Sequence, residues 1–224
     1  MRNAARYIVS KTYQPLVAKY LNKTRNYSFM GIRVEVPPGV FHPGLFSSTR
    51  LLLQQLFDRS LQNRSVLELG AGTGLISIYT AREGAKVLAI DISPASIECL
   101  ERNRKANRVH FDLLHSDLFD TIPPQSFDLI LINPPYYKKD PANDAERAWY
   151  CGAQGEYFQK LFRQLRNYMH RDTEVLMVLC DGCDLEGIKI LASENALAMV
   201  CVKTAGNLIE QNFIFKIEWC DEGA

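Results

Sequence analysis

An α/β fold with a doubly wound, mostly parallel sheet is predicted by three features of this 224-residue sequence. From Ser65 onward, short apolar runs alternate with stretches of helical periodicity, the pattern of buried strands joined by crossover helices. A glycine-rich turn, Glu68-Leu69-Gly70-Ala71-Gly72-Thr73-Gly74, lies between the first of these strands and the first of these helices. Glu68 and Asp91 fall at the ends of successive strands, the edge where open α/β sheets bind ligands.

Element by element, Val9, Tyr13, Leu16 and Tyr20 recur at helical spacing and place a basic amphipathic helix at the start, with Pro15 as its kink or first turn. Residues 27–36 alternate as a strand pair around Gly31, and Pro37-Pro38-Gly39 ends it. A helix is expected over 45–61, with Ser47, Ser48 or Thr49 to cap it. Strands follow over 66–69, 86–90, 109–115 and 127–132, all expected to be buried, with helices over 75–82 and 94–107 between them. Residues 158–169 read as a helix, 174–180 as a fifth strand, and 185–194 as another helix. Strands over 197–204 and 211–219 close the chain as a hairpin. The expected whole is a seven-stranded sheet with an antiparallel last strand, unlike the six-stranded dinucleotide arrangement. Residues 1–50 form a basic extension of helix plus hairpin, and 51–224 form the main domain.

With 47% hydrophobic residues the chain is long enough for one substantial core. No apolar run has the length of a membrane span, and the charged first twenty residues lack the apolar centre of a signal peptide, so a cytoplasmic protein is expected. The six cysteines are scattered, which suits reduced thiols. Cys180 and Cys183 form one isolated pair, with no second pair or spaced histidines to complete a zinc site. No metal is expected.

The formal charge of +1 conceals an asymmetry. Residues 1–64 carry ten Lys or Arg against Glu35 and Asp58, a balance of +8 that leaves −7 for the remainder. This fits either a solvated basic face or a docking surface for a polyanionic partner.

Two clusters carry the chemistry. The glycine turn lets backbone approach a ligand closely, but Glu68 beside it would repel phosphates and attract an ammonium or sulfonium group. Asp91, 23 positions beyond Glu68, can accept from both ribose hydroxyls, with Ile92 next to it. Asp117 is placed either to accept from an adenine amine, with Leu118 against the ring, or to serve a turn. The second cluster is Asn133-Pro134-Pro135-Tyr136, which ends the run from Phe127. It presents an amide, carbonyls of a segment that cannot pair sideways, and an aromatic face, a set that suits a flat NH2 group. The polar stretch from Lys138 to Arg147 reads as a flap over that site, with Trp149 and Tyr150 packing its base.

These residues resemble those of the class I S-adenosylmethionine-dependent methyltransferases, over roughly residues 65–219. Within that group the Asn-Pro-Pro-Tyr motif resembles the small-domain enzymes that methylate amino and amide nitrogens. Met30-Gly31-Ile32-Arg33-Val34, Pro38 to Pro43, Thr49-Arg50-Leu51-Leu52 and Gly152-Ala153-Gln154-Gly155 are similar to segments of the HemK-type glutamine methyltransferases. The loop before Thr49 is two residues longer than in that type, Pro43 is not followed by arginine, and the upstream helical domain is reduced to one short helix. The resemblance implies S-adenosylmethionine held by Glu68, Gly70, Ala71, Gly72, Gly74, Asp91, Ile92, Asp117, Leu118 and Asn133. It implies transfer at Asn133, Pro134, Pro135 and Tyr136. The acceptor is then a macromolecule, a protein glutamine or an exocyclic base amine in RNA or DNA, docked on the basic first segment. A non-catalytic cofactor-binding module is the alternative from another class.

Overall fold

The computed structural model describes residues 20–206 and 210–220. The helix expected before Tyr20 lies outside the described residues. Two strands open the described chain, β1 (Arg25–Phe29) and β2 (Ile32–Val36), paired antiparallel around Met30 and Gly31, both at positive φ. Ile32, Val34 and Val36 of β2 are buried, and the hairpin is fixed at one point by Asn103. The Oδ1 of Asn103 accepts from the Glu35 N–H at 2.8 Å, while its Nδ2 donates to the carbonyls of Glu35 and Thr73, each at 2.9 Å. One buried amide thus joins the hairpin to the glycine turn.

The remaining strands form one sheet: β3 (Ser65–Leu69), β4 (Lys86–Asp91), β5 (Asp112–His115), β6 (Phe127–Ile132), β7 (Met169–Cys180), β8 (Leu197–Gly206) and β9 (Gln211–Trp219). Their order is β5-β4-β3-β6-β7-β9-β8, parallel except for β9, which runs antiparallel to both β7 and β8. Period-2 alternation divides the central strands between two cores. Leu67, Leu69, Ile130, Ile132, Val175 and Met177 face one, and Val66, Leu129, Leu131, Leu176 and Val178 face the other. Helices α1 (Ser47–Gln54), α2 (Leu75–Arg82) and α3 (Pro94–Ala106) contribute to the second core, and α4 (Glu156–Leu165) and α5 (Leu185–Glu194) to the first.

Several expectations are corrected. Helix α1 is eight residues long rather than spanning 45–61, and its N-cap is Phe46, with no side-chain cap. Two of the three hydroxyls expected to cap it serve elsewhere: Ser47 accepts from Asn212 Nδ2 at 2.8 Å and Thr49 from Asn133. Strand β5 begins at Asp112, three residues later than expected, and is half-exposed rather than buried because it is the sheet's edge. Helix α4 stops at Leu165, and a 3-10 turn (Arg166–Tyr168) leads into β7, whose polar first residues gave no strand signal. Among the described residues, no helix is long and apolar enough to cross a membrane.

Candidate active site

The carboxyl ends of β3, β4, β5 and β6 open onto one cavity of about 410 Å3. Crossover connections place every loop that follows a parallel strand at this edge, so residues far apart in sequence converge here.

At the β3 end, Gly70 and Gly72 adopt φ of +68° and +55°. A Cβ added at Gly70 would meet nothing within 4 Å, and one at Gly72 only Val40 Cγ1 at 4.0 Å. Their glycines therefore leave space for a ligand rather than for protein. Gly74 differs: a Cβ there would lie 2.7 Å from Leu100 Cδ2, and Gly74 is outside the cavity lining. Gly74 is thus a point of close packing between α2 and α3.

Glu68 is buried, accepts from the Ser77 hydroxyl, and has no cationic partner among the described residues. Burial raises its carboxyl to about 8, partly offset by the Ser77 hydrogen bonds. Asp91 is also buried, and its oxygens accept from the N–H groups of Gly72 and Ser93, each at 2.9 Å. Burial pushes its carboxyl above the usual carboxylate range too, against those hydrogen bonds. Ile92 and Leu118 line the same wall, Leu118 with φ of +52°. Asp117 lines the cavity with one oxygen committed: its Oδ2 accepts from Lys160 Nζ at 2.6 Å.

At the β6 end, beside the glycine turn of the neighbouring strand β3, Asn133, Pro134, Pro135 and Tyr136 all line the cavity. Asn133 Nδ2 donates to Thr49 Oγ1 at 3.1 Å, which leaves Oδ1 free of partners among the described residues. The Pro134 carbonyl likewise accepts no hydrogen bond there. Tyr136 is buried, with its ring edge-on to Tyr137 and its hydroxyl against Cys180. The flap is tied down: Asn143 caps a 3-10 turn (Asp144–Ala148), Asp140 accepts from the Ala153 N–H at 2.9 Å, and Tyr137 bridges to Tyr150. Trp149 packs on both Phe41 and Phe46, so the flap meets the loop that follows β2.

Thr49, Lys160 and Phe41 join the lining without having been assigned a site role from sequence. Their partners lie 84, 43 and 108 residues away, beyond the reach of any local pattern. Among the described residues, no group of three or more His, Cys, Asp or Glu is placed to hold a metal ion.

Fold and cavity define a Rossmann-like methyltransferase that uses S-adenosylmethionine. The chain belongs to the methyltransferase small domain family, whose profile matches residues 31–186. It is 36% identical over 150 residues, 63% of this chain and 72% of the relative, to a protein of Methanocaldococcus jannaschii provisionally named protein N5-glutamine methyltransferase. It is 29% identical over 135 residues to the release factor glutamine methyltransferase of Geobacter sulfurreducens, covering 59% of this chain and 46% of that one. A 16S rRNA methyltransferase of T. thermophilus, solved with S-adenosylmethionine and guanosine, shares the fold. Its TM-score is 0.63 over 88% of this chain and 50% of that one, at 22% identity.

The lining fits that cofactor. A buried carboxyl with no cationic partner among the described residues, glycine backbone open to space, and a second buried carboxyl at the next strand end complement an ammonium group and a ribose.

Proposed function

We propose that this chain methylates a planar nitrogen, and that the acceptor is the side-chain amide of a protein glutamine. The observation that carries the reading is the Asn133 amide, whose Nδ2 is turned onto Thr49 while Oδ1 and the Pro134 carbonyl are left as acceptors. Two acceptors at one cavity wall match the two N–H bonds of a carboxamide. Both hydrogen bonds strengthen as the amide nitrogen gains positive charge, so they stabilise the transition state more than the bound acceptor.

S-adenosylmethionine supplies the electrophilic methyl group, bound by Glu68, Gly70, Ala71, Gly72, Asp91 and Asp117 with Ile92 and Leu118 against its rings. The chain's remaining task is alignment, since an in-line displacement needs the nitrogen lone pair directed at the methyl carbon. Asn133 and Pro134 fix the plane of the acceptor, and Tyr136 covers one face of it. Phe41 and Trp149 shield the site where the two loops meet. No general base is assigned, because the proton leaves a nitrogen that has become strongly acidic after transfer.

The charge of the outer rim favours a protein over a nucleic acid. Asp140, Asp144 and Glu156 line the cavity beyond the cofactor carboxylates against Arg147, while Lys160 is paired with Asp117. A phosphate backbone would be repelled there. The opposing observation is the +8 balance of residues 1–64, which keeps an exocyclic amine of RNA or DNA as the second reading. On either reading, residues 1–50 serve as the acceptor-docking extension of a catalytic domain over 51–224.

Incubation of a lysate with the enzyme and radiolabelled cofactor, divided between protease and nuclease, separates the two. Label that survives nuclease and is released by protease supports the glutamine reading; label released only by nuclease refutes it.

A further inference from the structure

Asp91 and Asp117, at the ends of β4 and β5, can only accept hydrogen bonds when ionised. A nucleoside bound between them has acceptors of its own, the ring nitrogens of its base and the oxygens of its ribose, and these need donors. The cation at that wall is already committed: Lys160 Nζ donates to Asp117 and Asp120, each at 2.6 Å.

Tyr157 can supply a donor. It lies in the first turn of α4, three residues before Lys160, so the two side chains share a helix face. Lys160 shows which way that face points, toward the turn after β5, and Tyr157 lines the cavity together with Asp91 and Asp117. The Tyr157 N–H donates to the Cys151 carbonyl at 3.0 Å, and the ring stands edge-on to buried Phe158 at 5.3 Å and 81°. Backbone and ring are thus both held by protein. The hydroxyl makes no hydrogen bond among the described residues. Burial, and after it the charges of Asp117 and Asp91, hold the phenol well above its usual range, so it keeps a proton to donate.

We propose that Tyr157 is a cofactor-binding residue, its hydroxyl donating to an acceptor atom of the adenosyl group held between Asp91 and Asp117. Helix α4 thus closes the nucleoside half of the site through two residues, Lys160 fixing Asp117 and Tyr157 touching the ligand. The inference rests on the cofactor alone and holds whichever acceptor the enzyme methylates.

The test is calorimetric titration of the whole chain with S-adenosylhomocysteine, the demethylated form of the cofactor. Tyr157→Phe keeps the ring and its contact with Phe158 and removes only the hydroxyl. It is expected to weaken binding about tenfold, with the melting temperature of the ligand-free protein within about 2 °C of wild type. The same loss is expected with 5′-methylthioadenosine, which keeps the nucleoside and lacks the amino acid tail. Tyr157→Leu removes ring and hydroxyl together, is expected to bind at least as weakly, and decides the question if the phenylalanine variant does not fold. Wild-type affinity for S-adenosylhomocysteine in the folded variant overturns the proposal. So does a loss seen with S-adenosylhomocysteine and absent with 5′-methylthioadenosine, since it would put the hydroxyl at the tail instead of the nucleoside.

Discussion

Lys160 Nζ lies 2.6 Å from both Asp117 Oδ2 and Asp120 Oδ2, so one lysine of α4 holds the turn that follows β5. The pair is partly exposed, with side-chain exposures of 22% for Lys160 and 49% for Asp117. Its contribution to global stability is therefore small, within about 1 kcal/mol. Its contribution to position is larger, since the turn carries both Asp117 and Leu118 into the cavity. Lys160→Ala should lower the melting temperature by only a few degrees while raising cofactor Kd about three- to tenfold. Calorimetric titration with S-adenosylmethionine beside a thermal melt measures both, and an unchanged Kd contradicts the assignment of this turn to the nucleoside.

Glu68 couples stability to pH. Its folded-state value of about 8 lies above the usual 4.5. The protonated form therefore favours the folded state: this contribution is complete below about pH 4.5 and is lost as pH rises through about 8. Asp91 shifts in the same direction, so the comparison must isolate Glu68. Glu68→Gln should gain stability relative to wild type as pH goes from 5 to 9, by an amount on the order of a few kcal/mol. Denaturant midpoints across that range give the answer, and parallel curves for the two proteins would count against a buried, uncompensated carboxyl. Saturating cofactor should flatten the wild-type curve by supplying a cation.

The glycines separate packing from binding. Gly74→Ala places a methyl 2.7 Å from Leu100 Cδ2 at φ of +79° and should destabilise the fold by roughly 2–3 kcal/mol. Gly72→Ala meets only Val40 at 4.0 Å; its left-handed backbone costs about 1 kcal/mol, but its methyl stands where backbone faces the ligand. Cofactor affinity should fall at least tenfold in Gly72→Ala, out of proportion to the stability loss. Equal losses of affinity in both variants, scaling with stability, would argue against this division.

Asn133→Ala removes the amide while leaving the strand end in place. Transfer should fall about a hundredfold or more, with cofactor Kd within about threefold of wild type. A variant that keeps full turnover would show that the Asn-Pro-Pro-Tyr loop only terminates β6.

The amino-acid sequence alone determined the alternating architecture from Ser65, because strands buried on both faces must be continuously apolar and the helices between them keep a 3.6-residue period. Glu68, Asp91 and Asn133 were legible for a related reason. Each directly ends a strong apolar run, and in a doubly wound sheet the strand ends share one edge. Helix α5 was expected over 185–194, as found. The first strands of the extension were legible too, from their alternation around Gly31.

Only the tertiary structure decided which partners those residues have. Asp117 is held by a lysine 43 residues later, Asn133 by a threonine 84 residues earlier, and Trp149 by two phenylalanines from the loop after β2. Gly74 looked like its neighbours Gly70 and Gly72 until Leu100 was seen to occupy its open side. Local periodicity specifies where an element lies and which face it buries. It carries no information about the long-range hydrogen bond between Thr49 and Asn133.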